Sequence, residues 1–422
     1  MSTRTYYDPL HYGITLDSEK PEEAMLMKLI DSSPFQRLRR IRQLGPASLT
    51  FHGAESSRFT HSLGVFEISR RAIEKLAKLD SNLESFKFLL YGSALLHDLG
   101  HGPFSHTSEG IFGINHEEWS ASLIKEHPAI RDPLEEFFPG SSEKIASLIK
   151  GTEIKNKAIK SLISSQLDCD RMDYLMRDSY STGTKYGLLD LERILTALTL
   201  LPDGDLGIHP KGILAVEHYL VTRNLMYKSV YNHRLNEVAN WLLEQIFRRA
   251  RELGPGKIWT DSNMNKWLWD KENIDIETFL ANDDILVGYH LSRWKEEKFE
   301  SLSALCKRFL NRNLFKAIDI ETLTIEDQLT ALSIARKISQ AKGIDPEISC
   351  GIRKQELHGY YPYKGGLRVW DGFKLEALEN VSCIINSLTN PVQSTWLIYD
   401  REIHDDFKKE VEILKKNSIK FK

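Results

Sequence analysis

The chain has 422 residues, 41% hydrophobic and 27% charged, with a net charge of −3. This suffices for a real core and two or three domains, while so balanced a charge leaves any nucleic-acid contact to a local patch. Four scattered cysteines (Cys169, Cys306, Cys350, Cys383) without a Cys-x-x-Cys pair argue against a zinc ribbon or a disulfide framework and suit a reducing cytoplasm; no signal peptide and no apolar run of the ~18–20 residues of a membrane span is apparent.

The first three quarters read as mostly helical. Ser33-Pro34 offers an N-cap and a proline at the first helical position, and the helix is expected to carry Phe35, Leu38 and Ile41 and to stop at Gly45-Pro46. A second helix follows His61, with Leu63, Phe66, Ala72, Ile73 and Leu76 at helical spacing. An apolar helix is predicted at 86–98 and a short one from Ser141. Segments 157–180 and 213–253 are periodic and unbroken by Gly or Pro, so each is read as one long helix. After about 325 the character changes. A helix at 328–341 ends at Gly343; strand-like pieces follow at 347–352, 367–370 and 396–399, then a charged helix at 401–416. The expected architecture is mainly α: a helical core over 1–325 and a small α+β appendage over 326–422.

The densest chemistry is His97-Asp98-Leu99-Gly100-His101-Gly102-Pro103-Phe104-Ser105-His106. A buried helix leads into it, and a lone carboxylate there would cost several kcal/mol unless neutralised. A divalent cation near the helix end is the natural partner, whereas most His-Asp pairs are ordinary surface residues. His61 and Asp170, the latter read as mid-helix, complete a set of two imidazoles and two carboxylates. That set suits iron(II), manganese or magnesium rather than a closed structural zinc. His101, His106 and His116 exceed what one ion needs, and imidazole is the acid best matched to neutral pH. Asp170, Tyr174, Arg177 and Asp178 fall on one helical stripe suited to a metal, a sugar and a phosphate. Met172, Leu175 and Met176 are left to the core. The cluster Arg37, Arg39, Arg40, Arg42 reads as readily as a solvated helix face. Arg223, Lys228, His233 and Arg234 combine with Tyr227 and Tyr231 into a cation–aromatic set that fits a nucleotide.

With those residues in place, the chain resembles the HD-domain metal phosphohydrolases. His61, His97-Asp98 and Asp170 match the H…HD…D signature. The segments at 35–39, 58–65, 97–106, 168–178, 223–234 and 312–316 look like the dNTP triphosphohydrolase branch, that of the sterile-alpha-motif-and-HD-domain dNTPase and its bacterial relatives, in order and spacing. The resemblance spans about residues 4–320 and lacks the sterile-alpha-motif module. It implies an HD-domain helical core and cleavage of a dNTP, with water, into deoxynucleoside and triphosphate. It assigns the metal to His61, His97, Asp98 and Asp170, with a second divalent ion accompanying the substrate phosphates. Arg58, His101 and His106 would surround the α-phosphate, with His106 as the acid, Glu109 its acidic partner and His116 in the same cluster. Gln43 and Leu44 would meet the sugar, Tyr174 and Asp178 its 3′ side, Arg171 and Arg223 the outer phosphates, and Tyr231 the base. It also implies a homotetramer activated by a guanine nucleotide at Arg4, Asp31, Gln36, Arg39, Arg312 and Lys316. For an adjoining effector site Arg193, Lys211, His233 and Arg234 are suitable, but His209 and Ala215 depart from the expected Arg and Asn.

Two rivals belong beside this reading. Another HD-type nucleotide phosphohydrolase is one: an alarmone hydrolase would want acidic residues after His-Asp, and a cyclic-dinucleotide enzyme a second His-rich motif, of which Gly359-Tyr360-Tyr361-Pro362 is only an echo. The other is a catalytically silent nucleotide sensor or nucleic-acid binder, which would keep the arginines and lose the metal or acid residues.

Overall fold

The computed structural model describes residues 2–152, 156–357, 359–362 and 366–420. The chain passes back and forth between two compact units. The first comprises Met1–Met226, Glu272–Leu286 and Gly359–Asn390; the second comprises Tyr227–Lys271, Val287–His358 and Pro391–Lys422. These units do not follow a single boundary at 325.

The first unit opens with an antiparallel hairpin, β1 (Thr3–Asp8) and β2 (Tyr12–Asp17). Its helical centre is α1 (Arg58–Leu76), packed on α2 (Lys87–Leu96) and on α5 (Cys169–Thr182). The short helices α3 (His106–Phe112) and α4 (His116–Glu126) follow α2. Leu63, Phe66, Ile73, Leu90, Leu95, Met172 and Leu175 are buried, and Phe66 meets Tyr91 edge-to-face at 5.2 Å. Burial of such side chains stabilises by roughly 1.5–3 kcal/mol each, which fixes the helices that carry the polar residues described below.

Gly64 sets the α1–α5 distance: a Cβ there would lie 2.0 Å from Asp173 Oδ1 and 2.5 Å from an Arg177 nitrogen. Gly100 does the same for α4, since a Cβ would meet the Ser120 amide nitrogen at 2.2 Å and the His116 carbonyl at 2.3 Å. Both glycines are needed for close approach rather than for a turn.

Several helix expectations are corrected. The helix from Ser33 ends at Arg37, followed by a 3-10 turn at Leu38–Arg40. Ile41 is then extended because long-range pairing takes over: the Arg58 amide donates to the Ile41 carbonyl, and Gln43 to that of Ser56. Ser32, not Ser33, occupies the cap position, and Gly45-Pro46 opens a 3-10 helix instead of closing an α-helix. The 157–180 helix is two, Lys157–Ile163 and α5, because Asp168 turns its carboxylate onto the Arg171 amide at 2.8 Å and caps a new start. Asp170 therefore sits in the first turn of α5. The 213–253 helix is interrupted at Tyr227–Tyr231, and Arg234–Leu253 restarts behind a His233 cap.

The strand-like pieces belong to two sheets, with one correction: Pro346–Ser349 is a short helix capped by Asp345, and the strand expected over 347–352 runs Gly351–Leu357 instead. In the first unit Arg368–Trp370 pairs parallel to Leu206–Ile208 within a four-stranded sheet. Tyr360 is buried there, its hydroxyl donating to Glu379 at 2.9 Å and accepting from the Leu367 amide at 2.8 Å, so the Gly-Tyr-Tyr-Pro echo is structural. In the second unit Lys316–Asp319, Val392–Tyr399 and Gly351–Leu357 form an antiparallel sheet in that order. The helices Ile325–Ala341 and His404–Lys420 share its core through Ala331, Ala335, Leu397, Tyr399, Phe407 and Val411. Among the described residues, no helix is long and apolar enough to cross a membrane.

Candidate metal and phosphate site

The first unit brings His61, His97, Asp98 and Asp170 together. His61, one turn into α1, is fully buried. Its Nδ1 donates to Asp173 Oδ2 at 2.8 Å, and its Nε2 hydrogen-bonds Asp170 Oδ1 at 3.0 Å and lies 3.6 Å from Asp98 Oδ2, so Nε2 is the nitrogen that would face an ion once it gives up its proton. His97 follows the last turn of α2. Its Nδ1 donates to the Ala94 carbonyl at 2.9 Å, and its Nε2 lies 3.3 Å from Asp98 Oδ1 and 3.6 Å from Asp170 Oδ1 with no hydrogen bond. With Nδ1 committed to a hydrogen bond in both rings, loss of the Nε2 proton would leave each ring with a lone pair aimed at carboxylate oxygens. Lone pairs and anions repel unless a cation lies between them, so this donor set fits a divalent ion, with Asp173 as the carboxylate behind a ligating histidine. The electrostatics agree. Burial opposes a charge on His61, yet the hydrogen bonds to Asp170 and Asp173 raise its pKa to about 10. The pocket holds more negative than positive charge and draws a proton where an ion would sit.

Arg58, at the start of α1, is also buried. It donates to Asp98 at 2.6 Å, to Ser105 Oγ at 2.9 Å and to the Gln43 carbonyl at 3.3 Å. Although burial raises the Asp98 carboxyl, Arg58 and the neighbouring imidazoles hold it well below the carboxylate range. The loop that presents these groups is strained: Phe104 and Ser105 have φ of 59° and 55°. It is clamped by the buried Asp284, which accepts from the Phe104 amide at 2.7 Å and the Arg42 amide at 3.0 Å, and by Ser105 Oγ donating to the Arg42 carbonyl at 2.6 Å.

Beside the metal set lies a second cluster of His101, His106, Glu109 and His116. His101 and His116 stack with centroids 4.1 Å apart and planes at 11°; His106 meets His101 edge-on at 4.9 Å. An imidazole binds an ion in its ring plane at about 2 Å, so two parallel stacked rings cannot both serve one ion. Glu109 instead accepts from Nδ1 of His106 at 3.2 Å and from Nδ1 of His116. Burial alone would raise Glu109, but those two bonds outweigh it and hold the carboxyl far below its usual range. His101 is kept neutral by burial and by Arg58. The arrangement suits proton transfer from His106, whose side chain is 66% exposed.

The other expected residues fall as follows. Gln43 is buried with an unpaired Oε1, and Leu44 is half-buried beside it in sequence. Arg171 donates to Asp168 at 3.1 Å and to the Ser165 carbonyl at 2.8 Å, and lies 3.5 Å from the Tyr174 hydroxyl. Asp178 and Arg223 are buried. Arg177 leaves the expected stripe: it is buried against Asp173 and Asp8. Arg4 pairs with Asp31 at 2.7 Å, Gln36 accepts from Arg39 at 2.8 Å, and Arg39 lies over the Phe59 ring at 3.5 Å. Tyr231, Arg312 and Lys316 belong to the second unit, where Tyr231 meets the Tyr227 ring at 4.9 Å and Arg312 has φ of 54°. Of the second effector set, Arg193 donates to the Lys211 carbonyl at 3.0 Å in the first unit, and His233 and Arg234 lie in the second. The arginines at 37–42 divide: Arg37 is buried and donates to the carbonyls of His101 and Asn282, whereas Arg39 and Arg40 are exposed, Arg40 pairing with Asp283. The residues missed in the sequence are Asp173, His11, Asp8, Ser105 and Asp284.

Known proteins resemble this chain over most of its length. Residues 58–178 match the HD domain and residues 189–411 the HD associated region. The uncharacterized protein YwfO of Bacillus subtilis is 38% identical over 81% of this chain and 77% of its own length. The deoxynucleoside triphosphate triphosphohydrolase SAMHD1 homolog of Dictyostelium discoideum is 30% identical over 80% of this chain and 65% of its own. A solved phosphohydrolase from Bacteroides thetaiotaomicron superposes with a TM-score of 0.82 at 28% identity, covering 94% of this chain and all of that one.

Proposed function

As this chain belongs to the HD-domain phosphohydrolases, its HD domain continuing into the HD-associated region, we propose that it is a metal-dependent deoxynucleoside triphosphate triphosphohydrolase activated by a guanine nucleotide. The observation that carries this reading is the adjacency of the two clusters. Asp98 touches the His61–His97–Asp170 set on one side, and Arg58 and His101 on the other.

His61, His97, Asp98 and Asp170 would hold a divalent ion (iron, manganese or magnesium), which would supply Lewis acidity toward a phosphoryl oxygen. A second such ion would accompany the substrate phosphates. Arg58, locked by Asp98 and Ser105, keeps further N–H groups for the α-phosphate. Water attacks the α-phosphorus and releases a proton to bulk solvent, the bond to the 5′ oxygen breaks, and His106 protonates that oxygen from Nε2 while Glu109 holds its Nδ1–H. His116 shares Glu109 and His101 stacks on His116, so His106 is oriented before substrate arrives. Arg171 and Arg223 take the outer phosphates and Tyr231 the base. Gln43 offers an unpaired buried acceptor to the sugar; with Leu44, Tyr174 and Asp178 it forms a wall that leaves no room for a 2′-hydroxyl. Arg4, Asp31, Gln36, Arg39, Arg312 and Lys316 bind the guanine nucleotide in a cytoplasmic homotetramer.

The test is to incubate the metal-loaded protein with each dNTP, with and without GTP, and to separate the products. Deoxynucleoside plus inorganic triphosphate is expected. Diphosphate or monophosphate release, or no turnover under any effector, overturns the reading.

A further inference from the structure

The turn between β1 and β2 is exposed on its flanks, with Tyr7 88% and Tyr12 79% accessible. Yet it sends two polar side chains inward, against the cost of burying polar groups. Asp8 is 6% exposed, and the His11 side chain is 1% exposed. Asp8 Oδ1 accepts from the Leu10 and His11 amides at 2.9 and 3.1 Å, which fixes the backbone that carries His11, while Oδ2 accepts from Arg177 at 2.7 Å. His11 Nε2 lies 2.7 Å from Asp173 Oδ1.

Asp173 is the carboxylate that holds His61. It is fully buried and meets four N–H groups: His11 Nε2, His61 Nδ1, and two of Arg177 at 2.7 and 3.0 Å. A carboxylate offers about four lone-pair sites, so all are filled and the group cannot turn about its own axis. Removing one donor leaves a buried acceptor unmet and lets the carboxylate rotate, and with it the hydrogen bond that sets the His61 tautomer.

We propose that His11 is a positioning residue of the metal centre: its Nε2–H pins Asp173, and Asp173 aims the His61 lone pair at the ion. The proposal rests on the metal reading above. Partners one step behind a ligand typically contribute about 10–100-fold in metal affinity.

The test titrates the metal-free protein with Mn2+ alone by calorimetry, comparing wild type with His11→Gln, His11→Met, Asp173→Asn and His61→Ala, and records thermal melting of each. His11→Met, which fills the space without a donor, is expected to weaken Mn2+ binding about 10-fold or more; His11→Gln, which keeps an N–H, is expected to stay within about threefold. Equal affinities of the Met and Gln variants, with Asp173→Asn weakened, overturn the role of His11. If the methionine variant does not fold, the glutamine variant decides alone, since a loss beyond about tenfold in a folded His11→Gln overturns the proposal. If His61→Ala and Asp173→Asn also bind Mn2+ like wild type, the metal site itself is misassigned and the inference falls with it.

Discussion

His61 Nδ1 donates to Asp173 Oδ2 across 2.8 Å, and both side chains are fully buried. This bond decides which nitrogen of His61 carries the lone pair. Asp173→Asn should therefore weaken metal binding about 10–100-fold without removing a ligand. Metal content after dialysis against a graded chelator measures it, and wild-type retention would show that the tautomer is fixed elsewhere.

Gly64→Ala should be costly for so small a change. Its methyl group would fall 2.0 Å from Asp173 Oδ1, so α1 and α5 must move apart or Asp173 must leave His61. Overpacking of this kind costs about 1–3 kcal/mol. A lowered melting temperature together with weaker Mn2+ binding is expected; a drop in melting temperature with intact binding would place the relaxation away from Asp173.

His106→Ala should lower kcat by about 10²-fold or more while metal content stays at the wild-type level. His106 lies outside the His61–His97–Asp98–Asp170 set and hydrogen-bonds Glu109, so loss of metal would contradict its assignment to proton transfer.

Asp284 gives a pH signature. Burial, against two amide hydrogen bonds, raises its pKa to about 6, above the ~3.9 of an unfolded aspartate. The folded state therefore holds the proton more tightly in that window, and stability falls as pH rises from about 4 to about 6. Relative to Asp284→Asn, which does not titrate, the wild type should lose about 2–3 kcal/mol between those limits. Denaturant melts of both proteins at pH 4, 5, 6 and 7 measure the difference; a constant gap would show that Asp284 titrates normally.

The metal set was legible because its chemistry is local. His97-Asp98 at the end of an apolar helix needs a cation whatever surrounds it, and His61 and Asp170 supplied the matching types. Asp173 is hidden in the sequence because periodicity alone joins 157–180 into one helix with a single polar stripe, which makes Asp170 mid-helix and gives position 173 no role. The signal was present: Asp168 is a capping residue type, and Asp170 and Asp173 stand one turn apart. The extended path at 41–43 was not legible, since residues 56–58 impose it from far along the chain. His11 and Asp284 reach the site only through the tertiary fold, 162 positions from Asp173 and 180 from Phe104.

The absent side chain at Gly64 and the carboxylate of Asp173 are two halves of one steric lock. His61 and Gly64 are spaced by three on α1, and Asp170 and Asp173 by three on α5. Where the helices cross, ligand meets ligand one turn from where void meets carboxylate. A substitution at 64 is therefore legible only beside the residue at 173, and changing both together, as in Gly64→Ala with Asp173→Ala, should relieve the contact with the carboxylate, leaving the Arg177 nitrogen to move, while weakening the hold on the ion. Crossing distance and metal affinity are written in the same four positions.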